Sequence, residues 1–123
     1  MKKIKLFLDA CKKLGKSPDM LPDVSMLDER MQKYLIGLYK LAVIRDAIVD
    51  GWEADYKNRN QRKWYAVFIY DSASSSFRFY NAYYVLTRAG AGSGARLSFE
   101  TEEQAIYFAE QFIDIHNEVL LNK

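Results

Sequence analysis

The side chains with most chemistry in them are few and badly placed for catalysis. The chain has one histidine, His116, and one cysteine, Cys11. A nucleophile needs a base within hydrogen-bond reach, and neither a Ser-His-Asp nor a Cys-His pattern offers one. His116 falls one helical turn after Phe112 and one before Leu120, on an apolar stripe. That placement reads as a buried, hydrogen-bonded histidine. Cys11 lies on a similar stripe with no evident base nearby, and reads as a small core residue. Zinc sites want several Cys or His ligands at short spacing. Carboxylate sites want a clustered acidic loop, whereas Glu53 with Asp55 and Asp46 with Asp50 are pairs only. Glu110, Asp114 and Glu118 recur every four residues, so they share one helix face and read as solvated. No metal or cofactor is expected. Gly90 to Ala95 matches the G-x-G-x-x-A form of a dinucleotide loop, but that loop works by opening a helix. Here a short strand is expected next, so the segment reads as a hairpin loop. An enzyme working through carboxylates and tyrosines gathered from different elements is a reading that no spacing favours. A non-enzyme is expected.

A second chemistry is nucleic-acid binding. Lys57, Arg59, Arg62 and Lys63 run into Trp64 and Tyr65, and Phe77-Arg78-Phe79-Tyr80 follows on the next strand. Cations for phosphates beside rings that stack on bases are the parts of a single-strand binder. The run Lys63 to Tyr70 echoes an RNA-recognition strand, yet Trp64 stands where glycine belongs and Val67 where a stacking ring belongs. Lys57, Arg59, Arg62, Lys63, Trp64 and Arg78 are therefore the candidate residues for binding nucleic acid or a partner.

The elements that would position these residues follow from periodicity. At 123 residues, 50% hydrophobic and 15% aromatic, the chain can build one folded domain over residues 1–123. Ile4, Phe7, Leu8, Cys11 and Leu14 predict a helix over 2–14 that stops at Gly15. A linker holds Pro18 and Pro22. Ser25 with Asp28 reads as a capping box, opening a second helix that runs to about Asp50 and ends at Gly51. Met31, Tyr34, Leu35, Leu38, Leu41, Ala42, Ile48 and Val49 form its main stripe; Ile36, Tyr39, Val43 and Ile44 make the opposite side apolar too. Residues 64–70 read as a strand, 71–76 as a turn, 77–87 as one long strand or two bent near Asn81, 88–94 as a hairpin loop and 95–99 as a short strand. Thr101 with Gln104 caps a third helix whose stripe is Ala105, Phe108, Ala109, Phe112, His116, Val119 and Leu120. The fold class is thus α+β: two N-terminal helices, an antiparallel meander of three strands (four if the second is bent), and a C-terminal helix packed on the sheet.

A helix apolar nearly all round must be covered on more than one face. Either it is the domain's central helix or part of it meets another chain, which makes Ile36, Tyr39, Val43 and Ile44 the candidate self-association surface of a homodimer. Charge is asymmetric: six lysines lie between Lys2 and Lys16, and no Lys or Arg between Glu100 and Glu118. The N-terminal apolar run Leu6-Phe7-Leu8 is interrupted by Asp9 and too short for an export signal, and no stretch approaches a membrane span. A cytoplasmic protein without membrane contact is expected.

Leu21-Pro-Asp-Val-Ser25, the helix ending in Gly51-Trp52-Glu53 with Asp55 behind it, Asn60-Gln-Arg-Lys63, and Arg96-Leu-Ser-Phe99 before Glu103-Gln-Ala105 carry a resemblance. Together they resemble a group of small uncharacterised proteins of phages, prophages and mobile elements in gut Bacteroidetes, from about Leu21 onward. The resemblance implies a cytoplasmic accessory role and brings no catalytic or binding residue with it. The leading expectation is a non-catalytic module that binds a protein partner or itself; single-stranded nucleic acid is the alternative partner.

Overall fold

The computed structural model describes residues 1–86 and 95–121. Within them the order is α1 (Phe7–Leu14), α2 (Glu29–Val49), β1 (Lys63–Asp71), β2 (Ser76–Val85), a 3-10 turn (Ala95–Leu97), α3 (Glu102–Gln111) and α4 (Ile113–Leu121). The α+β class and the antiparallel sheet are as expected, but among the described residues the sheet has two strands. The third predicted strand is reduced to the 3-10 turn and a single bridge, in which Trp64 and Phe99 exchange both N–H···O bonds at 2.8 Å. The predicted 88–94 hairpin and Thr87 lie outside the described residues.

Helix α1 starts later than its spacing suggests. The Asp9 carboxylate accepts from the N–H groups of Lys5 and Leu6, which satisfies donors at a helix start. The residues ahead of it are held by α3 instead: Tyr107 donates to the Lys2 and Ile4 carbonyls and Gln111 to that of Lys5. Ile4 therefore enters the core from non-helical backbone. Gly15 ends α1 at φ 68°, a left-handed geometry that glycine adopts without a Cβ penalty.

The cap of α2 is Asp28, whose carboxylate accepts from the Met31 N–H at 2.9 Å. Ser25, expected in that role, donates its own N–H to Asp23. At the other end, Lys13 donates to the Ala47 carbonyl at 2.8 Å and pairs with Asp50. A cation there meets the carbonyl end of the helix dipole. This ties the end of α1 to the end of the longest helix through one side chain, while Phe7 at the start of α1 meets Tyr39, so the two helices run in the same direction.

The apolar surplus of α2 has a location. Its C-terminal half, from Leu41 to Val49, is buried between α1, α3 and the 3-10 turn. Its N-terminal half packs on α4, where a Cβ at Gly37 would stand 2.9 Å from the Val119 methyl. The helix is the central element here.

The third predicted helix is two. Phe112, at φ −112° and ψ 30°, breaks it; the residue is buried. The Thr101–Gln104 capping box forms as expected, and Ala105, Phe108, Ala109, Phe112 and His116 all reach the core. The break lets α3 lie on the sheet while α4 contacts both β2 and α2. From α4, Asn117 accepts from the Phe77 N–H at 2.7 Å and donates to the Phe77 carbonyl at 3.0 Å. Its amide pairs with β2 as a neighbouring strand would.

Candidate interaction surface and cleft

The two strands are antiparallel, with Trp64 opposite Tyr84, Tyr65 opposite Tyr83, Ala66 opposite Ala82 and Val67 opposite Asn81. The register then slips by one, because Tyr80 is an extra residue in β2, and Phe68 faces Phe79. Of the two expected forms, one long strand or two bent near Asn81, the single strand is found, with a bulge next to Asn81.

Side chains alternate across a strand. Trp64, Ala66 and Phe68 share the helix-covered face: Ala82 is buried there, and the Phe68 ring lies 4.6 Å from that of His116. Tyr65, Val67 and Ile69 take the other face. Opposite them stand Tyr83, whose ring is 6.3 Å from Tyr65, and Arg78. Tyr65, Ile69, Tyr83 and Arg78 are exposed, as is Tyr80 at the bulge. This face is aromatic and aliphatic and faces solvent.

The sequence-predicted binding residues do not converge. Lys57 and Arg59 are exposed on the loop before β1. Arg62 is exposed and lies 4.7 Å over the Tyr84 ring, which in turn lies 4.8 Å from Trp64. Trp64 is half-buried on the helix side. Lys63, expected to meet phosphate, is the main correction: it is 1% exposed. Its ammonium donates to the Asn58 carbonyl at 3.2 Å and the Gln61 carbonyl at 2.9 Å, beneath the Tyr56 ring. The lysine pins its own loop, so its charge is not offered to a ligand. Arg78 alone of the six lies on the open face.

The expected self-association set also splits. Ile44 is 0% and Val43 4% exposed, so neither presents a surface to a second copy; the chain's own elements cover them. Tyr39 is half-buried, packed on the core with its ring 6.5 Å from Phe7, and Ile36 is half-buried. Apolar side chains are exposed on the segment before α2: Met20, Leu21, Met26 and Leu27, with Met26 at 97%.

A cleft of about 490 Å³ opens at the C-terminal end of α2, lined by Leu14, Arg45, Asp46, Val49, Trp52, Glu53, Tyr56, Arg96 and Ser98 among others. Arg45 is buried. Its Nε donates to the Ser98 carbonyl at 2.8 Å, its Nη1 to Asp46 at 3.0 Å, and its guanidinium lies 5.7 Å from the Trp52 ring. Arg96 grips both Asp46 oxygens, at 2.9 and 2.8 Å. Burial pushes the Asp46 carboxyl up, but hydrogen bonds from Arg96 and Arg45 outweigh it, and the group titrates below its ordinary value. The hydrogen bond to Asp46 likewise holds Arg96 above its ordinary value. The Ser98 hydroxyl is buried with no hydrogen-bond partner among the described residues. The site joins residues about fifty positions apart in sequence. The one local signal was a charged pair, Arg45-Asp46, inside the apolar run of α2.

His116 is buried between Phe68 and Phe108, each ring 4.6 Å away, and its Nε2 lies 3.2 Å from the Phe108 carbonyl. Burial pulls its pKa down to about 4, against the opposing effect of that hydrogen bond. It is neutral at pH 7, and because a carbonyl oxygen only accepts, the tautomer with its proton on Nε2 makes this bond. Cys11 is buried, and desolvation pushes its thiol above its ordinary value. Among the described residues no three His, Cys, Asp or Glu side chains are grouped to hold a metal ion, and no helix is long and apolar enough to cross a membrane.

The fold and these surfaces define an α+β chain with a two-stranded sheet covered by helices on one face. Comparison with protein-family models, curated proteins and solved structures finds no match.

Proposed function

We propose that this chain is a non-catalytic interaction module that associates with a second copy of itself through the open face of β1 and β2. One observation carries the reading. Strand β1, Lys-Trp-Tyr-Ala-Val-Phe-Ile-Tyr-Asp, is apolar on both faces, the pattern of a strand buried on two sides. Among the described residues the helices cover one side, and on the other Tyr65, Ile69 and Tyr83 are exposed beside Arg78. Aromatic rings and arginine are the residue types enriched where protein surfaces meet. A two-fold axis through this face would bring Tyr65 and Tyr83 of each copy together over a shared apolar surface. Light scattering across a concentration series tests this. Association is expected in the wild type and is lost in Tyr65→Lys/Ile69→Lys, whose circular dichroism and melting stay native. A wild type that stays monomeric at the highest soluble concentration overturns the dimer.

A second reading, single-stranded nucleic acid, has the stack of Arg62 on Tyr84 and the placement of Arg78 opposite Ile69 on the tyrosine face in its favour. A base can stack on a ring while the neighbouring cation meets phosphate. Binding to a mixed-sequence oligonucleotide at low salt, weakened by Arg62→Ala and by added salt, is its expected result. No change in oligonucleotide anisotropy ends it.

A further inference from the structure

Residues 2–12 and Lys16 carry a surface that shares no residue with the open sheet face or the cleft. Residues 1–16 hold six lysines and a single acid, Asp9. Lys13 is occupied by the Ala47 carbonyl and Asp50. The other five, Lys2, Lys3, Lys5, Lys12 and Lys16, are exposed and form no ion pair among the described residues. The Asp9 carboxylate is taken up by the N–H groups of Lys5 and Leu6. Leu6 and Leu8 stand out among these cations, 63% and 42% exposed.

The fold holds this surface in place. Ile4 is 5% exposed, and Tyr107 and Gln111 of α3 donate to the carbonyls of Lys2, Ile4 and Lys5. Lys3, Lys5 and Leu6 are therefore presented by a fixed backbone, which lowers the ordering cost of a contact. Along α1 the burial of Ala10 and Cys11 leaves Leu8 and Lys12, one turn apart, on the outward side together. The acids a turn from Tyr107 on α3, Glu103 and Glu110, are exposed and form no ion pair with these lysines among the described residues.

We propose that this surface lies against an anionic lipid leaflet. The lysines meet the headgroup charge, and Leu6 and Leu8 enter the boundary between headgroups and acyl chains. A cluster of about four to eight cations on an amphipathic segment is what the potential of such a leaflet attracts, and protruding apolar side chains add to the hold. Among the described residues no helix is long and apolar enough to cross a membrane. The contact is peripheral, so it departs from the sequence expectation of no membrane contact without needing a span. Lipid suits these residues better than nucleic acid does. Arginine forks and stacking rings are the groups that grip phosphodiesters and bases. Residues 1–16 hold no arginine, and their one ring, Phe7, is half-buried against the core.

Co-sedimentation of the full chain with vesicles tests this. Binding is expected with phosphatidylcholine vesicles that contain about 30% phosphatidylserine. Phosphatidylcholine alone should bind far less, and about 0.5 M salt should release the chain. Lys5→Gln/Lys12→Gln is expected to weaken binding about tenfold or more. Leu6→Ser/Leu8→Ser is expected to weaken it by a similar factor, about tenfold. Serine is favoured at the cap position that Leu6 holds, so α1 keeps its start, as circular dichroism checks. No binding to the anionic vesicles overturns the proposal. A folded leucine variant that binds as tightly as the wild type overturns it too, because the lysines would then serve any polyanion, nucleic acid included. Tyr65 and Ile69 take no part, so loss of vesicle binding and loss of self-association are separate results.

Discussion

His116 makes stability depend on pH across a window in which the chain has no other histidine to titrate. Folded, it sits between two aromatic rings and its pKa falls from 6.5 to about 4 because burial disfavours the imidazolium. Unfolded, it returns to the ordinary value. Between those two values the unfolded chain holds a proton that the folded chain does not, so protonation favours unfolding. The stabilisation is complete above the unfolded pKa and is lost as pH falls toward the folded one. At about 1.4 kcal/mol per pH unit, the full loss is about 3 kcal/mol. Between about pH 7 and about pH 5 it is about 2 kcal/mol, a large share of the stability of a small domain. Urea unfolding at the two pH values reads it as a midpoint lower by about 1–2 M at the acid end. His116→Gln keeps a donor for the Phe108 carbonyl and cannot titrate. Its absolute stability will differ, but the drop between the two pH values should shrink to a small residue from the carboxylates. An equal drop in the variant, or an NMR titration placing the His116 pKa near 6.5, would refute the reasoning.

Two further substitutions test the packing. Gly37→Ala should destabilise by about 1 kcal/mol or more, because the 2.9 Å approach to the β-branched Val119 outweighs the helix propensity that alanine gains. Adding Val119→Ala should recover part of the loss relative to the sum of the single changes, read from a double-mutant cycle in urea. Lys63→Ala should cost about 2–3 kcal/mol through the lost ammonium bonds to Asn58 and Gln61, and should speed limited proteolysis in the loop around Asn58. A variant as stable and as protease-resistant as the wild type would mean that Lys63 does not hold that loop.

The legible parts of the fold were those determined within a few residues. The stop of α1 at Gly15, the Thr101–Gln104 box and the buried positions from Ala105 to His116 follow from local spacing, whereas of the predicted α1 stripe Ile4 lies ahead of the helix and Leu8 is exposed. Helix starts were less legible. Asp9 and Asp28 out-competed the predicted beginnings because a carboxylate accepting from nearby N–H groups sets the first turn more sharply than an apolar period does. The break at Phe112 has no glycine or proline to announce it, and neither does the bulge at Tyr80.

Composition and periodicity by themselves determined that this chain has an α+β order, an antiparallel ribbon and a second helix too apolar for one covered face. Tertiary structure alone decided where each surplus went. Whether a lysine serves a phosphate or a loop carbonyl, as at Lys63, depends on what folds over it. Whether Val43 and Ile44 meet a second copy or α2's own neighbours depends on how helices dock. The cleft depends on Arg96 and Ser98 reaching Arg45 and Asp46 across half the chain. Such meetings are non-local: local spacing carries no record of them, because they arise only when distant segments are brought together by the burial of a common core.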